Sequence, residues 1–142
     1  MEDKFNLNRF IEAHSNTYKT ALFEIKKEKK TSHWMWYIFP QYHGLGKSNM
    51  SVKYTLNSKE EAKTYLNHTI LGKRLKEITE AFLSIENKSA YDILGGPDDL
   101  KFKSSMTLFD SIQDETDLFA TVLKKYFNGD RCKKTLVKLN DE

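Results

Sequence analysis

Residues 118–129, LFATVLKKYFNG, decide the fold class. Leu118, Phe119, Val122, Leu123, Tyr126 and Phe127 recur at three- and four-residue spacing, which gathers them on one side of an α-helix. Asn128-Gly129 supplies the stop that ends such a helix. Working outward, the same period returns through most of the chain. Leu7, Phe10, Ile11, His14, Tyr18, Ala21, Leu22 and Ile25 form one apolar stripe, read as a single first helix. Ser58-Lys59-Glu60-Glu61 has the form of a capping box, opening a helix with Ala62, Tyr65 and Leu66 inside. Leu71, Leu75, Ile78, Phe82 and Ile85 mark the next. Ser89 caps a brief turn ending at Gly95, and Pro97 suits the first position of a helix that turns Phe102, Met106 and Phe109 inward. Leu136 and Leu139 pin a short C-terminal helix to the body. Strand-like alternation is scarce, and no Gly/Pro/Ser linker divides the chain. The expectation is a mainly α, single compact multi-helix domain over residues 1–142, with room for one or two short strands.

Composition agrees with a packed domain. At 142 residues the chain is the usual size for one domain and needs no disulfide or metal staple. Aromatics reach 13%, so Phe, Tyr and Trp carry the core. Net charge is only +3, too slight to argue for double-stranded DNA or a membrane surface. Lys26, Lys27, Lys29 and Lys30 read as a solvated helix end, with a phosphate-facing patch as the alternative. Cys132 is the only cysteine, no run of apolar residues is long enough to span a bilayer, and Met1-Glu2-Asp3-Lys4 lacks the apolar core of a secretion leader. A cytoplasmic setting is expected.

The most unusual stretch is Ser32-His33-Trp34-Met35-Trp36-Tyr37-Ile38-Phe39-Pro40-Gln41, which holds both tryptophans. Ser32 can cap a short helix that Pro40 must end. The apolar run also fits a buried strand. Trp34 and Trp36 either pack in the core or form a pocket wall on which a flat ring stacks, with Gln41 at the mouth. Gly44-Leu45-Gly46-Lys47-Ser48 follows. It lacks Walker spacing, but Gly44 and Gly46 let backbone amides converge on an anion, with Lys47 beside them. Farther on, Lys101, Ser104, Ser105 and Thr107 place a cation near several hydroxyls, a face able to hold phosphate or one that is merely solvated. Cys132 between Arg131 and Lys133 has the surroundings of an activated thiolate but no evident base. His14, His33, His43 and His68 are scattered, so neither a metal nor another cofactor is expected.

Assembled in order, Ser32–Gln41, Gly44–Ser48, Tyr65-Leu66-Asn67-His68, Leu71-Gly72-Lys73-Arg74-Leu75, Gly96–Lys101, Ser104–Phe109, Phe127-Asn128-Gly129 and Thr135-Leu136 resemble a bacterial family of unknown function, domain-of-unknown-function family 1810. That resemblance implies a mainly helical domain and no particular activity. A fainter one, carried by the aromatic segment, Ser58-Lys59-Glu60-Glu61-Ala62 and Lys125-Tyr126-Phe127, is to NADAR domains, and implies cleavage of an N-glycosidic bond in an ADP-ribose-like substrate.

Two functions follow as expectations. In the first, the chain is a nucleotide-related N-glycosidase-like hydrolase. Glu60, Glu61 or Asp110 would stabilise a cationic sugar or activate water, and His33 would protonate the leaving group. Trp34 or Trp36 would stack on the base, while Lys47 or Lys101 would hold phosphate. In the second, the same surface binds a nucleotide or a protein without turnover. The expected partner is a small nucleotide-like molecule, or in the second reading a protein; the sequence leaves the oligomeric state open.

Overall fold

A computed structural model describes residues 3–142; the opening Met1-Glu2, read above as part of a leaderless N-terminus, lies outside them. Ten helices follow in order among the described residues: α1 (Asn8–His14), α2 (Tyr18–Lys26), α3 (Met35–Ile38), α4 (Asn49–Lys53), α5 (Lys59–Asn67), α6 (Leu71–Leu83), α7 (Ala90–Leu94), α8 (Asp98–Ser111), α9 (Leu118–Phe127) and α10 (Lys133–Asn140). The mainly α expectation holds. In place of strands there is an isolated parallel bridge between Tyr42 and Leu56.

The apolar periodicity built the elements it marked. Leu75, Ile78 and Phe82 of α6, with Phe119, Val122 and Leu123 of α9, are buried against one core. Every helix except α4 contributes to that core. Asn128 turns left-handed at φ 55° and stops α9 where the sequence asked for it. Ser89 and Asp92 cap α7 reciprocally. At α5 the box is half-formed: Ser58 accepts from the Glu61 N–H, but the Glu61 carboxylate turns to Asn57 and Arg9 instead.

Two readings need correction. The single first helix is two. Ser15 Oγ donates to the Glu12 carbonyl at 2.8 Å, competing with the helical ladder, and the chain resumes at Tyr18. The stripe still faces inward, with Phe10 and His14 on α1 and Tyr18, Ala21 and Ile25 on α2. Lys30, expected in solvent, instead pairs with Asp98 at 2.9 Å and lies 5.2 Å from the Trp34 ring centroid.

α8 runs through the middle of the molecule. It packs against α5, α7, α9 and α10, so it is buried almost all round from Phe102 to Phe109. Such a helix has few faces left for water, and only its first turns reach a surface hollow. α5 and α6 meet at Gly72, where an added Cβ would stand 1.9 Å from the Leu66 carbonyl oxygen. Among the described residues, no helix is long and apolar enough to cross a membrane.

Candidate functional site

A hollow with a volume of about 930 Å³ has three walls. The first turns of α8 supply Leu100, Lys101, Lys103 and Ser104. The turn after α9 and the start of α10 supply Gly129, Asp130, Arg131, Cys132, Lys133, Lys134 and Leu136. The loop after α3 supplies Gln41, Leu45 and Gly46. Two segments far apart in sequence thus face one cavity.

Local bonds hold each wall. The Gln41 carbonyl accepts from the Leu56 N–H at 2.9 Å, and the His43 N–H donates to the Leu56 carbonyl at 2.9 Å, which anchors the loop. Gly44 sits at φ 86°, and a Cβ there would meet the Lys138 ammonium end 2.5 Å away. Its missing side chain lets the loop approach α10. On α8, Thr107 Oγ1 donates to the Lys103 carbonyl at 2.8 Å and accepts from the Cys132 N–H at 3.0 Å, tying the first wall to the second.

Charge distinguishes the cavity. Lys101, Lys103, Arg131, Lys133 and Lys134 line it, against the single carboxylate of Asp130. Asp110 pairs with Arg131 at 2.6 Å, and Asp98 lies 3.8 Å from Lys101. Among the described residues, Lys103, Lys133 and Lys134 have no carboxylate partner within ion-pair distance. Leu45, Leu100 and Leu136 add apolar surface. Cations over an apolar floor suit an anion that also carries a flat or hydrophobic part.

Cys132 opens α10 on the cavity wall. Burial by itself raises its thiol pKa. The Ser104 hydroxyl, 3.2 Å from the sulfur, with the Thr135 hydroxyl and the backbone N–H groups of Thr135 and Lys134 close by, outweighs that and leaves the thiol below its ordinary range.

The residues singled out in the sequence divide. Gln41, Gly46, Lys101 and Ser104 line the cavity. Trp36 is half-buried and outside the lining, with the ammonium of the lining residue Lys101 5.4 Å from its ring centroid. Gly44 shapes the loop, while Lys47 is exposed and outside the lining. Trp34 cannot stack on a ligand: it is 0% exposed, and Nε1 donates to Glu24 at 2.9 Å. Ser32, expected as a cap, also serves Glu24, through its N–H and its hydroxyl. Ser105 and Thr107 face the core, because α8 is enclosed at that level. Thr107 positions Cys132; Ser105 touches no solvent. Glu61 is buried in an ion pair with Arg9 at 2.8 Å, and Glu60 is a surface partner of Lys4. Neither glutamate lines the cavity, nor does the exposed His33. Asp110 reaches it only through Arg131.

Lys103, Lys134 and Asp130 were not singled out. Their signal was the density of charge in Asp130-Arg131-Cys132-Lys133-Lys134 directly after a helix stop, but nothing local shows that this run faces Lys101. Among the described residues, no group of three or more His, Cys, Asp or Glu side chains is placed to hold a metal ion.

Residues 4–139 match a family described as "Protein of unknown function (DUF1810)". A crystal structure of the conserved hypothetical protein Rv1873 from Mycobacterium tuberculosis is similar to the chain with a TM-score of 0.96 at 41% identity, covering 97% of this chain and 99% of that one. No curated protein matches at a significant level.

Proposed function

The chain belongs to the DUF1810 family, and from that premise we propose that it binds a small anionic, nucleotide-like molecule in the cavity between α8, α10 and the 41–46 loop. The supporting observation is the convergence of five cations on one hollow of about 930 Å³ that a single carboxylate lines. Like charges held together repel, and a bound anion relieves that cost. The volume falls in the range of about 300–1,000 Å³ usual for small-molecule sites. Lys101 and Lys103 on one wall and Lys133 and Lys134 on the other would clamp phosphate. Leu45, Leu100 and Leu136 would meet the base.

Binding without turnover is the favoured form of this reading. Glycosidic hydrolysis needs a carboxylate at the sugar carbon, and Glu60 and Glu61 are remote. The N-glycosidase alternative therefore rests on Asp130. It predicts that ADP-ribose is cleaved, and that Asp130→Asn abolishes cleavage while binding survives.

The test is thermal unfolding with ADP-ribose, ADP, AMP and inorganic phosphate. A ligand at a hundred times its Kd adds about 2.7 kcal/mol of stability, and the melting temperature should rise saturably. Lys133→Glu combined with Lys134→Glu should remove the rise. An unchanged melting temperature across the panel refutes the proposal.

A further inference from the structure

We propose that Cys132 is a reactive cysteine that exchanges with small, negatively charged disulfides admitted by the same cavity. The inference shares the cationic hollow with the binding reading but does not need a nucleotide ligand.

The sulfur is reachable: Cys132 is half-buried and lies on the cavity wall. Its surroundings are built for a charged sulfur. Ser104 has one hydroxyl hydrogen and two acceptors, the Leu100 carbonyl at 3.1 Å and Cys132 Sγ at 3.2 Å. Donation to the carbonyl suits a thiol, which can itself donate to Ser104; donation to the sulfur suits a thiolate. Thr135 supplies a second, independent sign. Its hydroxyl is 0% exposed, has no aligned hydrogen-bond partner, and lies beside the sulfur. A buried donor left unpaired is destabilising, and a charged sulfur removes that cost by accepting from it. The first N–H groups of α10 add their partial positive charge. Position is fixed as well, since the Cys132 N–H is held by Thr107 Oγ1.

The charged groups facing the sulfur's cavity are Lys101 and Lys103 from α8, and Asp130, Arg131, Lys133 and Lys134 from the turn before α10 and its first residues. They favour both the thiolate and an anionic reactant. After Cys132 gives its proton to solvent, the thiolate attacks one sulfur of the disulfide. A bond from Cys132 Sγ to that sulfur forms as the original S–S bond breaks, and the second half leaves as a thiolate with the bonding pair. The disulfide is the oxidant. No other cysteine exists in the chain to resolve the adduct, so it persists until an external thiol removes it.

The experiment follows the intact reduced chain by mass as it reacts with glutathione disulfide, an anion, and with cystamine, a dication. A lone cysteine makes the modified residue unambiguous without any variant. At low salt the anionic disulfide should react at least about tenfold faster, and the preference should shrink as salt rises. The rate should rise with pH around a midpoint below the roughly 8.5 of a free thiol. Ser104→Ala should raise that midpoint, and Lys133→Gln with Lys134→Gln should erase most of the preference. Equal rates for the two disulfides, or a midpoint at or above about 8.5, overturns the inference. A chain that ignores every nucleotide yet discriminates the disulfides keeps this inference and loses the nucleotide reading. One that binds nucleotides and treats both disulfides alike does the reverse.

Discussion

Replacing Glu24 by glutamine isolates the interaction that takes Trp34 out of the binding surface. The Glu24 carboxylate, 6% exposed, accepts four hydrogen bonds: from the Thr31 N–H at 2.8 Å, the Ser32 N–H at 3.0 Å, the Ser32 hydroxyl at 2.5 Å and Trp34 Nε1 at 2.9 Å. Burial alone would raise its pKa, but these donors outweigh it and bring the group down to about 2. A carboxylate whose folded pKa lies below its unfolded value adds stability above the unfolded pKa and loses it as pH falls towards the folded one. The window here runs from about pH 4.5 down to about 2. At about 1.4 kcal/mol per pKa unit, that gives roughly 3 kcal/mol at pH 7 and about 1.4 kcal/mol at pH 3. Glutamine keeps the shape and can still accept through one oxygen, so the loss isolates charge. Urea unfolding at pH 7 should show Glu24→Gln destabilised by about 2–3 kcal/mol, a drop of several degrees in Tm. By pH 3 the difference from the native chain should fall by about half. A gap that stays constant from pH 7 to pH 3 would refute the reasoning, because a packing defect has no such dependence.

His14 should give a second acid-sensitive slope. Burial lowers its pKa to about 4, the Tyr37 carbonyl at 2.6 Å partly opposes this, and Arg74 lowers it further, so the ring is neutral when folded. The unfolded chain then binds the extra proton between about pH 6.5 and 4, and stability falls as pH drops through that range; His14→Asn should flatten this part of the curve, whatever its effect at pH 7. Glu61→Gln should destabilise the fold by about 3 kcal/mol by leaving Arg9 short of its buried partner, while nucleotide-induced shifts in melting temperature persist. Gly72→Ala should be among the most damaging single changes, costing about 3 kcal/mol or more by calorimetry, because the new Cβ overlaps backbone that cannot swing aside.

How much was legible depended on the range of the force involved. The cap at Ser89, the stop at Asn128 and the inward faces of α6 and α9 are set by neighbours within a turn or two, and the sequence displays them directly. The break at Ser15 was hidden because the apolar stripe continues past it; the ladder ends where the Ser15 hydroxyl and N–H both turn to the Glu12 carbonyl. In the aromatic segment, Trp34 and Trp36 are alike in type and two residues apart. One is sealed by a carboxylate ten residues upstream and the other stands beside Lys101, a distinction that depends on where α2 and α8 lie.

The sequence by itself determined a helical chain with an aromatic core, a family, and a short set of polar residues worth attention. Tertiary structure alone decided which of them meet. Ser105 and Thr107 are enclosed while Ser104, itself buried, borders the cavity, because α8 is surrounded on every side but one. Helical periodicity states which residues share a face, but whether that face meets protein or a cavity depends on the packing of α10 and the 41–46 loop, which no local pattern encodes.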